Sequence, residues 1–285
     1  MDFEIISPKN KGELLNAIQE NQDKKFCFGA GYTDLINKFK GQTLDGLLVI
    51  NIAQLDDHEF RGIAEKDAHV EIGALSTASD LTDNKMIAEN YPVLLQAAES
   101  LASIQIRNAA TIGGNICNAS PSADMAAALV ALKADCCVLD SDGNEREEAL
   151  ESFICGVGKT SLMKNEILRA IKIPTNISKK VHSGFIKIGA RNSMEISIVS
   201  LSYHFQLDKD RTIIEAGISI GAVAPTIPFV TEACDSVKGK RLDQYKDQQQ
   251  FADLVLSYAS PISDIRASEW YRREVLSNIS RSIFE

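Results

Sequence analysis

Apolar positions along the chain fall into short runs whose spacing predicts the elements. Leu14, Leu15 and Ile18 recur at helical spacing behind Ser7-Pro8, a cap residue followed by proline at a first helical position. Lys24 to Phe28 alternates and runs into Gly29-Ala30-Gly31, after which a short helix is expected from Thr33 to Lys40. Leu47 to Ile52 is a compact apolar strand. Residues 1–55 thus read β/α/β, with the glycines at the strand-to-helix turn. Val70 to Leu75 predicts another strand. Ser79 to Leu101 predicts a helix broken at Pro92, because proline removes a donor and clashes with the preceding turn. Ile106 to Ser122 is polar and glycine-bearing, with few helix or strand signals, and reads as a long loop. A helix over Ala123 to Leu132, a strand over Cys136 to Leu139 and a turn at Ser141-Asp142-Gly143-Asn144 follow. Ile167 to Ile173 is a strand stopped by Pro174.

The polar stretch Pro174 to Lys180 is the expected boundary. Beyond it, Gly184 to Ala190, Ile196 to Leu207 and Ile213 to Val223 predict three strands. Helices are expected at Phe229 to Val237, Leu242 to Ala259 and Ser268 to Phe284. Three consecutive strands followed by three helices form a separate α+β unit.

Composition narrows the function. The chain has 285 residues, enough for two domains, and its 30 basic against 39 acidic residues give a net charge of −9. Like charge opposes binding to a phosphate backbone, so nucleic acid is not expected. The opening MDFEIISPKN has no basic region followed by an apolar stretch, so no signal peptide is expected. The longest apolar run, Met125 to Leu132, has eight residues, against the ~20 that span a bilayer. No membrane is expected, and the chain reads as cytoplasmic. Its cysteines, at positions 27, 117, 136, 137, 155 and 234, include no C-x-x-C pair. They are expected to be six buried thiols, with no metal site built by this chain.

Three glycine-bearing segments are candidates for chemistry. Phe28-Gly29-Ala30-Gly31-Tyr32-Thr33-Asp34 sits between a strand and a helix, where successive backbone N–H groups can face an anion. Read alone, it is equally an ordinary strand–helix turn. Asp34 stands where the dinucleotide fingerprint G-x-G-x-x-G has its last glycine. The second segment, Arg107 to Asp124, combines small residues with Thr, Asn, Ser and Asp side chains that suit a polyhydroxyl, diphosphate-bearing ligand. Within it, Ser122 is positioned to cap the next helix and Asp124 to favour its dipole. The third, Gly156-Val157-Gly158-Lys159-Thr160, is not a phosphate-binding P-loop, since Phe153 occupies the position of the first glycine. The acidic stretch Glu145 to Glu151 before it makes a poor buried strand. His58, His69, His182 and His204 have no ligand spacing. Lys187 and Arg191, four apart, would share one face of a strand.

In order along the chain, these segments resemble the flavin-binding subunit of the xanthine dehydrogenase family of molybdenum hydroxylases. The family pattern is an A-G-G-T-D-like loop, then T-I-G-G-N-x-x-x-A-S-P-x-A-D, a G-x-x-K-T element and a strand ending in proline. F-x-K-x-x-x-R with D/E-I-S and a C-terminal S-D-x-R-x-S-x-x-Y-R-R complete it. Here stand Ala30 to Asp34, Thr111 to Asp124, Gly156 to Thr160, Lys187 to Ile198 and Ser263 to Arg273.

The resemblance implies an α+β chain with a two-subdomain FAD-binding domain of the PCMH type, shared with vanillyl-alcohol oxidase and carbon monoxide dehydrogenase flavoproteins. That domain would span residues 1–175, with subdomains of about 1–55 and 56–175. Residues 181–285 would form a carbon monoxide dehydrogenase flavoprotein C-terminal-like domain of three antiparallel strands and helices, covering the flavin. By the same resemblance, the backbone of Gly29, Ala30, Gly31, Tyr32, Thr33 and Asp34 and the loop Thr111-Ile112-Gly113-Gly114-Asn115 would hold the diphosphate. Asn118, Ser120 and Asp124 would bind ribityl and ribose hydroxyls. Leu101 and Leu168 would lie near the rings, and Lys187 would approach from the second domain. Tyr32 departs from the family's usual glycine, which implies weaker or differently shaped diphosphate binding.

The implied function is electron transfer. Substrate is hydroxylated at molybdopterin on one partner subunit, and electrons pass through [2Fe–2S] clusters on an iron–sulfur partner to FAD here and then to NAD. The flavin does the redox chemistry, so no acid/base residue is named. The absence of cysteine ligand spacing argues against the 4-hydroxybenzoyl-CoA reductase variant, whose flavin subunit carries an extra cluster. The entrance Gln105 to Asn108 and the stretch Asn115 to Asn118 look most like xanthine dehydrogenases. Nicotinate, aldehyde and carbon monoxide enzymes are alternatives. Two rivals of another class remain: an assembly module that has lost flavin because of Tyr32, and a stand-alone oxidase. The latter class often attaches FAD to histidine, and His58 and His69 lie outside the glycine segments.

Overall fold

A computed structural model describes residues 3–191 and 194–284. Asn192 and Ser193 of the Lys187 to Ile198 stretch, and Met1, Asp2 and Glu285 at the ends of the expected domains, lie outside the described residues.

The first region is β1 (Glu4–Ile6), α1 (Lys11–Glu20), β2 (Lys25–Gly29), α2 (Leu35–Phe39) and β3 (Leu47–Asn51). Its strands form an all-parallel sheet in the order β1-β3-β2, as a β/α/β reading requires. Helix α1 begins three residues later than Ser7-Pro8 predicts. Asn10 is its N-cap, with its side chain accepting the Glu13 N–H at 2.9 Å, while the Ser7 hydroxyl is drawn to Asn51. Leu14 and Ile18 of α1 are fully buried against Leu48 and Ile50 of β3.

The second region contributes β4 (Ile63–Glu65), β5 (His69–Gly73), β6 (Asp135–Asp140), β7 (Glu145–Ala149), the short pair β8 (Ile154–Gly156) and β9 (Lys159–Thr160), and β10 (Glu166–Pro174). The five-stranded antiparallel sheet runs β4-β5-β10-β6-β7, and β8 pairs with β9. The acidic stretch is therefore a strand after all, at the sheet edge, where burial is not required. Arg146 engages Glu148 at 2.7 Å, and Arg169 reaches Glu145 at 3.0 Å. The G-x-x-K-T element is the β8–β9 hairpin, with Gly158 at its positive-φ turn.

Small helices cover this sheet: α3 (Ala78–Thr82), α4 (Lys85–Asn90), α5 (Pro92–Glu99), α6 (Ile104–Arg107), α7 (Ile112–Cys117), α8 (Asp124–Ala131) and α9 (Leu150–Phe153). The helix expected over Ser79 to Leu101 does break at Pro92, which opens α5 at its first position, where a missing N–H costs nothing, and it breaks once more at Asp83–Asn84. Two other expectations fail. The expected long loop from Ile106 contains the end of α6 and all of α7, which Ser103 and Thr111 cap through their hydroxyls. Ser122 does not cap α8, because its hydroxyl lies against Ser120 at 3.0 Å.

The third region is the antiparallel meander β11 (Lys180–Ile188), β12 (Val199–Leu207) and β13 (Ile213–Gly221), followed by α10 (Thr231–Val237), α11 (Gln248–Ser257) and α12 (Glu269–Ser282). Leu242–Gln244 forms a 3-10 turn, so the expected helix from Leu242 divides before Gln248. Arg191 lies beyond β11 and is exposed, so it shares no strand face with Lys187.

Every residue of α8 is buried, because the helix packs against β12 and β13 of the third sheet on one side and against α5, α7 and α9 on the other. Its alanines allow close approach. The Ser219 hydroxyl donates to the Ala127 carbonyl at 2.6 Å, and a Cβ on Gly217 would collide with the Ala131 carbonyl.

The linker is fastened on both sides of this seam. Tyr91 donates to the Pro174 carbonyl at 3.2 Å and Asn176 Nδ2 to the Asn90 carbonyl at 2.8 Å. The Asn176 Oδ1 then faces His204 Nε2 at 2.9 Å, so that nitrogen carries the proton. His204 Nδ1 therefore accepts from the Ser183 hydroxyl at 2.9 Å, and Ser183 Oγ accepts the Val93 N–H at 3.2 Å. Burial pushes the His204 imidazole down to about 4, which keeps this neutral form.

Of the cysteines, Cys136, Cys137 and Cys234 are buried, Cys27 is half-buried, and Cys117 and Cys155 are exposed. The expectation of six buried thiols thus holds for three of them. Among the described residues no helix is long and apolar enough to cross a membrane.

Candidate functional site

Between the first sheet, α7 and β10 opens a cleft of about 520 Å³. Its apolar side is made by Phe28, Ile52, Leu75, Leu101, Ile167 and Leu168.

One polar wall is the turn after β2. The ladder ends when the Gly29 carbonyl accepts the Ile52 N–H at 2.8 Å. Among the described residues, nothing accepts from the next five backbone N–H groups, Ala30, Gly31, Tyr32, Thr33 and Asp34. All five residues line the cleft. Residues 30–33 are half-buried and Asp34 is exposed, and successive unpaired N–H donors form a concavity that attracts anions.

The residues around this row explain its shape. A Cβ on Gly31 would collide with the Ala109 carbonyl, so the turn lies backbone-to-backbone against the second segment. Tyr32 has φ +58°, a left-handed conformation that costs a non-glycine residue roughly 1–2 kcal/mol. Its ring folds back over Gly29, where a Cβ would come within 2.6 Å of it. Glycine at position 29 thus makes room for the ring. Burial pushes the Tyr32 phenol up, and the nearby Cys27 adds to the effect, so the hydroxyl stays protonated.

The facing wall is built differently. Ile112 N–H goes to the Ser76 carbonyl at 2.9 Å, Gly113 N–H to the Ala74 carbonyl at 2.8 Å and Asn115 N–H to the Thr111 carbonyl at 3.0 Å. Gly114 N–H goes to Thr111 Oγ1 at 3.0 Å. From Ile112 to Asn115, then, every backbone donor already has an acceptor. Gly113 permits this docking, since a Cβ there would sit 2.7 Å from the Ala74 carbonyl oxygen. Side chains are engaged as well. Asn115 Oδ1 accepts the Ala126 N–H at 3.1 Å, supplying the α8 cap that Ser122 does not.

The expected residues divide accordingly. Ala30 to Asp34, Thr111, Gly113, Gly114, Asn115, Asn118, Leu101 and Leu168 line the cleft. Gly29, Ile112, Ser120, Asp124 and Lys187 do not line it. Gly29 lies beneath the Tyr32 ring, Ile112 is wholly buried in the core and Ser120 pairs with Ser122. Asp124 and Lys187 form a buried pair in the seam at 2.6 Å. Ser197 donates to the other Asp124 oxygen at 2.6 Å, and Lys187 also donates to the Ser100 carbonyl at 3.2 Å, one residue before Leu101. Burial pushes the Asp124 carboxyl up, opposed by Lys187 and Ser197.

Other lining residues carried no local signal in the sequence. Leu162, Met163 and Lys164 come from the turn before β10. Glu166 fixes that turn by accepting the Met163 N–H at 2.8 Å while Arg146 holds it with bonds of 2.7 and 2.9 Å. The Arg146 guanidinium thereby keeps the Glu166 carboxyl below its usual range. Lys38, at helical spacing from Asp34, was findable as its ion-pair partner, but its contact with Asn118 across the cleft was not.

Known proteins match this arrangement along its whole length. Residues 1–176 match the family described as FAD binding domain in molybdopterin dehydrogenase. Residues 185–285 match the CO dehydrogenase flavoprotein C-terminal domain. The chain is 29% identical over 272 residues to the xanthine dehydrogenase FAD-binding subunit of Escherichia coli O157:H7, covering 95% of this chain and 91% of that one. It is 28% identical to the glyceraldehyde dehydrogenase medium chain of Sulfolobus acidocaldarius, with coverages of 100% and 98%. Among solved structures, a carbon monoxide dehydrogenase from Hydrogenophaga pseudoflava superposes with a TM-score of 0.89 at 24% identity, covering 99% of this chain and 96% of that chain. That likeness shows a shared fold.

Proposed function

The chain belongs to the FAD-binding subunits of the molybdenum hydroxylases, and from that membership we propose that its cleft holds FAD on the way from [2Fe–2S] clusters to NAD in a xanthine dehydrogenase. The observation that carries the cleft assignment is the row of five open N–H groups beside an apolar wall. A dinucleotide needs both surfaces: donors for its diphosphate and apolar side chains for its rings. When bound, FAD supplies the redox chemistry, taking up and releasing electrons.

The residues then have distinct tasks. Ala30 to Asp34 offer backbone donors to the diphosphate. Thr111, Gly113 and Gly114 form the opposite wall, and Ile112 anchors it in the core. Asn115 and Asn118 each keep an amide N–H₂ for hydroxyl groups, since their oxygens are engaged by Ala126 and Lys38. Leu101 and Leu168 exclude water beside the rings. Asp124 and Lys187 hold the third region next to Leu101 and so shape that end of the cleft, while Ser120 braces Ser122 just before α8. Gly29 seats the Tyr32 ring, which leaves the donor row open and supports flavin binding over a flavin-free module.

The same reading divides the chain at the linker into an FAD-binding domain, residues 1–175, and a covering domain, residues 181–285. It places the chain in the cytoplasm with an iron–sulfur subunit and a molybdopterin-binding subunit as partners. The xanthine assignment is supported by the Escherichia coli relative and by the Gln105 to Asn108 entrance. The substrate itself would be handled on another chain.

The test is a visible spectrum of the purified chain after adding FAD, and again after anaerobic NADH. A bound flavin band that bleaches is the expected result. A bound flavin that NADH cannot reduce removes NAD from the proposal, and a chain that retains no flavin overturns the cleft assignment.

A further inference from the structure

Lys38 stands four residues after Asp34 on α2, so their side chains share one face of the helix. The Lys38 ammonium is 3.1 Å from the Asp34 carboxylate. It also donates across the cleft to Asn118 Oδ1, at the C-terminal end of α7. Lys38 is thus a side-chain tie between the wall with open donors and the wall whose donors are engaged.

An ammonium has three N–H donors; one goes to Asn118, Asp34 contributes an ion pair between two half-exposed side chains, and donor capacity remains for a ligand. Asp34 is the last residue of the open row, so the Lys38 Nζ is held at the end of that row. The other charges lining the cleft do not compete for this place. Glu166 is held by Arg146 behind the Met163 turn, and Lys164 lies on the β10 side. The row itself is made of neutral dipoles, and Asp34 adds a negative charge beside it. A diphosphate diester, itself a dianion, would be repelled there unless a cation offset the carboxylate.

We propose that Lys38 is the counter-charge for the diphosphate of the bound dinucleotide and straps it between α2 and α7. This rests on the FAD reading of the cleft. Lysine suits the task as a compact point charge that can contact phosphate, carboxylate and amide oxygen together.

The experiment is a fluorescence titration of the full chain with FAD and, separately, with riboflavin, which lacks the diphosphate. It compares wild type, Lys38→Met and the double variant Asp34→Asn/Lys38→Met at several salt concentrations. Thermal melts of the ligand-free proteins accompany it. Lys38→Met is expected to weaken FAD at least ~10-fold and leave riboflavin unchanged, as loss of a charged phosphate contact would. The fall of FAD affinity with added salt becomes shallower, and the double variant regains only part of the loss. The proposal is overturned if Lys38→Met binds FAD as wild type does, or if riboflavin weakens in parallel. Full recovery in the double variant also overturns it, because Lys38 would then only neutralise Asp34. Wild-type protein that binds no FAD would instead sink the cleft assignment beneath it.

Discussion

The turn Phe28 to Asp34 and the segment Thr111 to Asp124 face each other across one cleft. Both are rich in glycine and small polar residues, and as sequence they suggest the same work. Their hydrogen bonds differ. Among the described residues, five successive N–H groups of the turn find no acceptor, whereas those from Ile112 to Asn115 all have one. Gly31 lets one backbone touch the other, and Gly113 lets a helix sit on the end of β5. The turn is therefore the donor surface and the segment its support. Glycine content marks close approach in both, but only the fate of each N–H distinguishes a binding surface from a buttress.

This contrast makes a general forecast. Changes in the support should lower the stability of the ligand-free chain, and changes in the turn should alter FAD affinity. The largest effect belongs to Asp124→Ala, which leaves the Lys187 ammonium buried without its partner. A loss of about 3–5 kcal/mol is expected, read as a lower urea midpoint without FAD. Unchanged apo stability with lost FAD would move Asp124 from the support to the binding surface.

Acid should attack the same seam through His204. Its folded value is lowered from 6.5 to about 4 by burial, so the unfolded chain takes up the proton first as pH falls. This contribution is fully present above pH 6.5 and is lost progressively toward pH 4, amounting to about 3 kcal/mol. Urea midpoints across that window should fall more steeply for wild type than for His204→Gln. Equal slopes would show that the imidazole does not control the seam.

Gly31→Ala should break both regions at once, since its Cβ collides with the Ala109 carbonyl. About 2 kcal/mol of stability and most FAD retention should be lost, as melts and bound-flavin content would show. Thr111→Ala removes the α7 cap and should cost about 1 kcal/mol, leaving FAD affinity per folded chain nearly unchanged by titration. Tyr32→Gly should have the smallest effect. It relieves left-handed strain but gives up the ring over Gly29, for a net change under ~1 kcal/mol. FAD binding should persist, and its loss would mean that the phenol, not the backbone row, holds the ligand.

Local features were legible in the sequence because their physics is local. The parallel β/α/β start, the buried helix at Asp124–Ala131 and the three-stranded meander all follow from periodicity. Helix α7 escaped because its glycines and asparagine oppose helix formation, and α6 because four residues are too few to show a period; the caps Ser103 and Thr111 decide both. The edge strand Glu145–Ala149 escaped because its acids are answered by Arg169, more than twenty positions away from Glu145. The division of labour between the two segments could not be read at all. It depends on the carbonyls of Ala74 and Ser76, which β5 and its exit bring to Gly113 and Ile112.

The place of β10 in the middle of its sheet bears on how the chain is made. It pairs with β5 on one side and β6 on the other, so residues 69–73 cannot join residues 135–140 until residues 166–174 arrive between them. Such distant pairing closes slowly, because the chain entropy of the intervening segment is lost before any contact repays it. On the ribosome, Leu168 is delivered with this last central strand. The cleft therefore acquires its final wall only once more than half of the chain has been made, after the open turn at Ala30 to Asp34 has long been exposed, and a ligand seated across it would then hold together strands from both ends of that wait.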